Sequence, residues 1–179
     1  MTNPLGRAGL WLAAVLTTML PSGGASADSI AEDKAKAGFI FNFTKYTEWP
    51  AATLPASTLL VCSLSGQALS GKLGALQGQQ VQGRSIQVRT PTRPNEWREC
   101  QVLFITADEV ERADNVLRNT AQHPVLTISD APDFVRAGGI IGLKLRGGRI
   151  RFDINHGAAR QAGLKLSSQL LKLADEVVQ

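Results

Sequence analysis

Histidine, cysteine and tyrosine are scarce: two His, two Cys and one Tyr in 179 residues. Aromatic residues make up only 6% of the chain, so its core must be built mostly from aliphatic side chains. No apolar run reaches the ~18 to 20 residues that a membrane-spanning helix needs. His123 precedes a proline and His156 opens an expected helix. Neither has a Cys, His or acidic partner at metal-ligand spacing, so both read as solvent-facing and no metal site is expected. A Gly-x-Ser-x-Gly elbow and a Gly-Lys-Ser/Thr phosphate loop are both missing. Gly138-Gly-Ile-Ile-Gly142 is glycine-rich, but it precedes a strand and lacks the dinucleotide-binding order, so it reads as a turn. The acids Asp108, Glu109 and Glu111, and the pair Asp175/Glu176, fall at expected helix ends, where dipole complementarity accounts for them. The formal charge is +4 and the basic residues are scattered along the chain, which does not imply nucleic acid. These absences leave no catalytic constellation and no cofactor site, so the chain does not read as an enzyme.

The first thing present is an export signal. Arg7 is followed by an apolar run from Gly9 to Leu20, then by Pro21 and the small-residue triplet Ala25-Ser26-Ala27. A basic start, a short apolar centre and an Ala-x-Ala end read as a secretory signal peptide over residues 1–27, leaving one domain over residues 28–179. A domain of that size buries roughly two-thirds of its unfolded surface and folds without staples. Both cysteines, Cys62 and Cys100, lie in the exported part. An even count in an oxidising compartment suggests a disulfide, and two buried free thiols are the alternative.

Hydrophobic periodicity supplies the architecture. Asp28 to Glu48 reads as a helix, ended by Trp49-Pro50. Thr58–Leu64, Cys100–Ala107 and Pro124–Ser129 are compact apolar runs and read as buried strands. Ser85–Thr90 alternates like a half-covered strand. Gln67–Leu76 can form a short helix, Pro91–Arg98 a loop, and Asp108 with Glu111 a capping box before a helix whose stripe is Val110, Ala113, Val116 and Leu117. Asp130–Arg136 reads as one helical turn stopped by Gly138-Gly139. Gly147-Gly148 joins Ile140–Arg146 to Arg149–Asn155 as a hairpin. A short helix follows over Gly157–Ala162. Ser167 or Ser168 caps a last helix buried by Leu170, Leu171, Leu173, Ala174 and Val177. Alternating strands and helices predict an α/β class: a three-layer α/β/α domain with a mainly parallel sheet and a C-terminal β-hairpin.

Polar and aromatic residues inside apolar elements are the candidates for function. Asn42 interrupts Phe39–Phe43; Tyr46, Glu48 and Trp49 cluster at the end of the first helix; Asp153 and Asn155 close a strand; Lys165 lies beside the last helix. Asn42 and Asn155 can simply satisfy backbone groups and Trp49 can simply pack. The functional alternative is a recognition surface, because Trp and Tyr beside charged groups are common in binding patches.

The segment Phe39-Ile-Phe-Asn-Phe-Thr-Lys-Tyr-Thr-Glu-Trp-Pro50 resembles the signature near the mature start of YfiR family proteins. Four further segments resemble the rest of that family in order: His123–Asp130, Gly138–Gly142, Arg151–Asn155 and Ala162–Ala174. The resemblance implies a periplasmic repressor of an inner-membrane diguanylate cyclase, acting on the cyclase's periplasmic sensor domain and lowering cyclic di-GMP and biofilm formation. It also implies sequestration by an outer-membrane OmpA-like lipoprotein, a homodimer, and a stabilising disulfide whose position Cys62 and Cys100 fit. Some members carry a second cysteine pair near the segment of Gly138, which this chain lacks. Glu48 and Trp49 fall in the family's N-terminal motif, and Asp153, Lys165 and Ser167 in the C-terminal region used for partner or ligand contacts. The rival reading is a periplasmic binder of a small metabolite, with Trp49, Glu48 and Lys165 around its pocket.

Overall fold

A computed structural model describes residues 24–66, 71 and 73–179. The expected leader falls mainly on residues 1–23, outside the described residues, while Gly24–Ala27 form the first turn of a long helix, α1 (Gly24–Lys45). Among the described residues, ten strands follow in two sheets. The small one pairs β1 (Thr47–Glu48) with β9 (Lys165–Leu166). The large one holds β2 (Thr58–Ser63), β3 (Gln80–Val81), β4 (Arg84–Arg89), β5 (Val102–Ile105), β6 (Leu126–Ser129), β7 (Ile141–Arg146), β8 (Arg149–Asn155) and β10 (Glu176–Val178). Its spatial order is β10-β8-β7-β6-β5-β2-β4-β3, and only the β7–β8 and β3–β4 pairs are antiparallel. The fold is α/β, as the alternation of elements predicts.

The central strands are buried on both faces, which explains their unbroken apolar runs. Val102, Leu103, Phe104 and Ile105 of β5 are each 0% exposed. Alternation along each strand divides the interior in two. On one face, Leu59, Val61, Val102, Phe104, Leu126 and Ile128 pack with Ala37, Ile40 and Phe43 of α1. On the other, Cys62, Leu103, Ile105 and Val125 pack with Trp97 and with Ala113 and Val116 of α2 (Val110–Thr120). Two short helices, α3 (His156–Gln161) and α4 (Ser168–Leu173), complete the domain. The expected hairpin is the β7–β8 pair, in register from Ile141↔Ile154 to Arg146↔Arg149. Gly147 and Gly148, at φ +57 and +71, supply the left-handed turn that such a two-residue link requires.

Several local expectations are corrected. The first helix stops at Lys45, not Glu48, and its last carbonyls are taken by side chains. Thr44 Oγ1 donates to Phe41 O at 2.6 Å, Thr47 Oγ1 to Phe43 O at 2.8 Å, and Gln82 Nε2 to Thr44 O at 2.9 Å. Those bonds satisfy the helix end and release Thr47 and Glu48 into a strand. Asp108 does not cap α2; a 3-10 turn over Ala107–Glu109 leads into it without any side-chain cap. The expected Pro91–Arg98 loop gives way at Pro94 to a 3-10 helix that runs to Glu99, held by Glu96, which accepts from the amides of Thr92 and Arg93. Asp130–Arg136 forms turns without helix, with Asp133 at φ +56. Of the expected helix Gln67–Leu76, residues 67–70 and 72 lie outside the described residues; Gly74–Leu76 is a 3-10 turn. The last helix ends at Leu173, which is 60% exposed. Val177 belongs to β10, because Asp175 N donates to Phe152 O and starts a parallel pairing with β8. Glu176 is therefore a strand residue, not the end of a helix.

Candidate functional site

Five of the sequence candidates converge on the small sheet. Thr47 pairs with Leu166 and Glu48 with Lys165. The Ser167 amide donates to Tyr46 O at 2.9 Å, extending the same ladder. Thr47 and Leu166 point into the core, while Glu48 and Lys165 are exposed cross-strand neighbours of opposite charge. Ser167 also caps α4 by accepting from Leu170 N at 3.1 Å. The ribbon is pinned from below by Gln82, whose Nε2 donates to Thr47 O at 3.0 Å as well as to Thr44 O.

Trp49 lies at this place but is not presented outward. It is 6% exposed, and its indole Nε1 donates to Gln101 O at 3.1 Å. It fastens the ribbon to the start of β5, and what solvent meets is Glu48, Lys165 and part of Tyr46. Gln101 makes a second tie: its Oε1 accepts from Leu60 N at 2.8 Å and its backbone N–H donates to Leu60 O at 2.9 Å. Sequence reasoning missed both glutamines. A glutamine inside the apolar run Cys100–Ala107 was the available signal for Gln101; Gln82, in a polar stretch, offered none.

Asp153 is elsewhere. It sits on β8 with its carboxylate 2.6 Å from Lys144 Nζ. It faces a cleft of about 420 Å³ between β7 and the turns Asp130–Arg136, lined also by Asp133, Arg136, Arg146 and Glu176. The sequence candidates therefore form one cluster of five and one separate residue. The two asparagines have local roles. Asn155 Oδ1 accepts from Ala158 N at 2.8 Å and Nδ2 donates to Val135 O at 2.9 Å, so it caps α3 and ties it to the turns before β7. Asn42 is exposed, with Oδ1 accepting from Lys45 Nζ at 3.4 Å.

Cys62 and Cys100 form a disulfide, with Cα atoms 6.0 Å apart. Cys62 is mid-strand in β2 and level with Leu103 of neighbouring β5. Cys100 reaches it because it precedes β5, at the end of the 3-10 helix that crosses that face. The bridge is buried beside Trp97, and one side of it borders a second cleft of about 420 Å³ with Arg89, Thr90 and Glu99. Near that cleft the Glu96 carboxyl is held down to about 2 by its hydrogen bonds with the Arg93 side chain and the Thr92 and Arg93 amides.

One ion cluster orients α1. Lys36 Nζ lies 2.7 Å from Asp130 Oδ2 and 2.6 Å from Glu32 Oε1, and Asp130 Oδ1 accepts from Ala107 N at 2.7 Å. Burial alone would lower the Lys36 pKa, but the hydrogen bonds with Asp130 and Glu32 outweigh it and hold it above the usual lysine value. Among the described residues, no group of three His, Cys, Asp or Glu is placed to hold a metal ion, and no helix is long and apolar enough to cross a membrane.

Comparison with known proteins adds two findings. A family model described as YfiR/HmsC-like matches residues 33–175. Among solved structures, the chain is similar to a conserved domain protein from Vibrio cholerae O1 biovar El Tor strain N16961, at 14% identity and a TM-score of 0.55. The match covers 80% of this chain and 60% of that one, and at such identity it speaks for the fold alone.

Proposed function

The chain belongs to the YfiR/HmsC-like family, and we propose that it is a periplasmic regulator that represses an inner-membrane diguanylate cyclase by binding the cyclase's periplasmic sensor domain. In this reading the leader is cleaved after Ala27, the mature domain acts as a homodimer, and an outer-membrane OmpA-like lipoprotein competes for it. Cyclic di-GMP and biofilm formation fall while the repressor is bound. The family match over residues 33–175 carries the proposal. The paired β1–β9 ribbon supports it, since two segments far apart in sequence meet as one surface held by Gln82, Gln101 and Trp49.

The mechanism is a shift of population. A repressor lowers cyclase output by binding the inactive conformation of the sensor more tightly than the active one. Moving that equilibrium from 1:99 to 99:1 takes about 5.5 kcal/mol of differential affinity, which an interface of standard size can supply. Glu48 and Lys165 set the sign pattern that a partner must complement, and a rim charge of this kind acts mainly on association rate and specificity.

The test is genetic and then biochemical. Deleting the gene raises cyclic di-GMP in the cell, and an unchanged level overturns the reading. A Glu48→Lys/Lys165→Glu exchange preserves the cross-strand charge pair and the melting temperature but weakens capture of the cyclase's periplasmic domain.

A further inference from the structure

The segment from Phe134 to Phe152 contains Arg136, Lys144, Arg146, Arg149 and Arg151 and no acidic residue. Along the chain these cations look scattered; the β7–β8 pairing gathers four of them. Lys144 stands opposite Arg151 and Arg146 opposite Arg149, so all four share one face of the hairpin. Like charges directly opposite one another repel, and this arrangement is costly unless an anion answers it. Within the protein the answer is incomplete. Asp153 takes Lys144 at 2.6 Å. Asp175 is shared among Lys144 at 3.4 Å, Arg146 at 3.8 Å and Arg151 at 3.9 Å. Arg149 is exposed beside the turn, with no ion pair among the described residues. The alternate positions, Leu143, Leu145, Ile150 and Phe152, share the other face. Phe152 and Leu143 are buried in the core, whereas Leu145, next to the turn, is 58% exposed.

The tip therefore presents an unburied leucine and a cluster of cations on opposite sides of a two-residue turn. We propose that the β7–β8 tip docks on an anionic phospholipid surface, with Leu145 in the headgroup–acyl boundary and Arg146, Arg149 and Arg151 against lipid phosphates. An acidic protein segment fits less well. The cleft beside these cations, which Arg146 also lines, holds Asp133, Asp153 and Glu176, which repel such a segment, while Arg149 at the turn stands outside that lining. The inference goes beyond the proposed function and does not depend on it.

The test is sedimentation of the full chain, purified after export, with phosphatidylglycerol-containing and pure phosphatidylcholine vesicles at several salt concentrations. Binding is expected only to the anionic vesicles and to weaken with salt. Arg146→Glu/Arg149→Glu is expected to lower it by roughly tenfold or more, whereas Arg118→Glu/Lys172→Glu, on α2 and α4 and of identical charge change, leaves it intact. Because Arg146 contacts Asp175, Leu145→Ser serves as a second variant that breaks no ion pair; it reduces binding without changing the salt dependence. No binding to anionic vesicles, equal loss in both charge-reversal variants, or binding to polyglutamate in place of lipid each overturns the proposal.

Discussion

Replacing Lys36 by methionine tests how α1, and the ribbon that follows it directly, is held in place. The change keeps the aliphatic stem and removes the charge. Lys36 Nζ sits 2.7 Å from Asp130 Oδ2, and the Asp130 side chain is only 9% exposed. Removing one member of a buried ion pair costs about 3–5 kcal/mol, because the other charge stays behind poorly solvated. Asp130 keeps the Ala107 amide at 2.7 Å, which places the expected loss near the lower bound, about 3 kcal/mol. For a domain of this size that is a fall in Tm of roughly 6 to 12 °C. The pH dependence has a definite sign. Because the folded pKa of Lys36 is raised, its contribution is complete below the unfolded lysine value of about 10.4 and is lost as pH rises through the higher folded value. The gap between wild type and Lys36→Met thus stays constant from neutral pH to about 9 and closes only in strong alkali. Thermal melts followed by circular dichroism, in a double-mutant cycle with Asp130→Asn, measure both. A shift below about 2 °C, additive single and double variants, or a gap that closes near neutral pH refutes the reasoning.

Three further outcomes follow from the geometry. Reducing Cys62–Cys100, which closes a loop of sequence separation 38, lowers stability by up to about 4 kcal/mol on the chain-entropy account; two freely alkylatable thiols in unreduced protein contradict it. Glu96, with its pKa depressed to about 2, stabilises the 3-10 helix above the unfolded carboxyl value and loses that contribution as pH falls toward 2, which a carboxyl NMR titration reads directly. Gly139→Ala drives a methyl group into the Phe134 ring, so it destabilises by about 1–3 kcal/mol in urea unfolding, whereas Gly138→Ser, with open space around it, perturbs only the backbone at φ +102.

The parts of this fold that sequence reveals are those governed by burial. The runs around Val61, Phe104 and Ile128 are apolar because both sheet faces are covered, and nothing else of that length fits them. The hairpin was legible because Gly147-Gly148 leaves the chain little choice. What stayed hidden was decided by pairing at a distance. Thr47-Glu48 looks like the tail of a helix, and only the ladder to Lys165-Leu166 makes it a strand. Glu176–Val178 is too short to announce itself and exists as a strand through β8. The candidate site was half visible. Tyr46, Glu48, Lys165 and Ser167 meet, while Asp153 lies apart and Trp49 is turned inward, because an indole with an apolar body gains more from the core and the Gln101 carbonyl than from solvent.

The ribbon that joins Thr47 to Leu166 has a consequence for genetics. Its two halves come from opposite ends of the domain, and seven of the eight strands of the large sheet lie between them in sequence, so the ribbon exists only where that sheet brings its ends together. A half-assembled molecule has no such surface to offer. Substitutions that destroy the ribbon should accordingly scatter through the interior, at buried places like Phe104 or Gln101, and outnumber those on the outside.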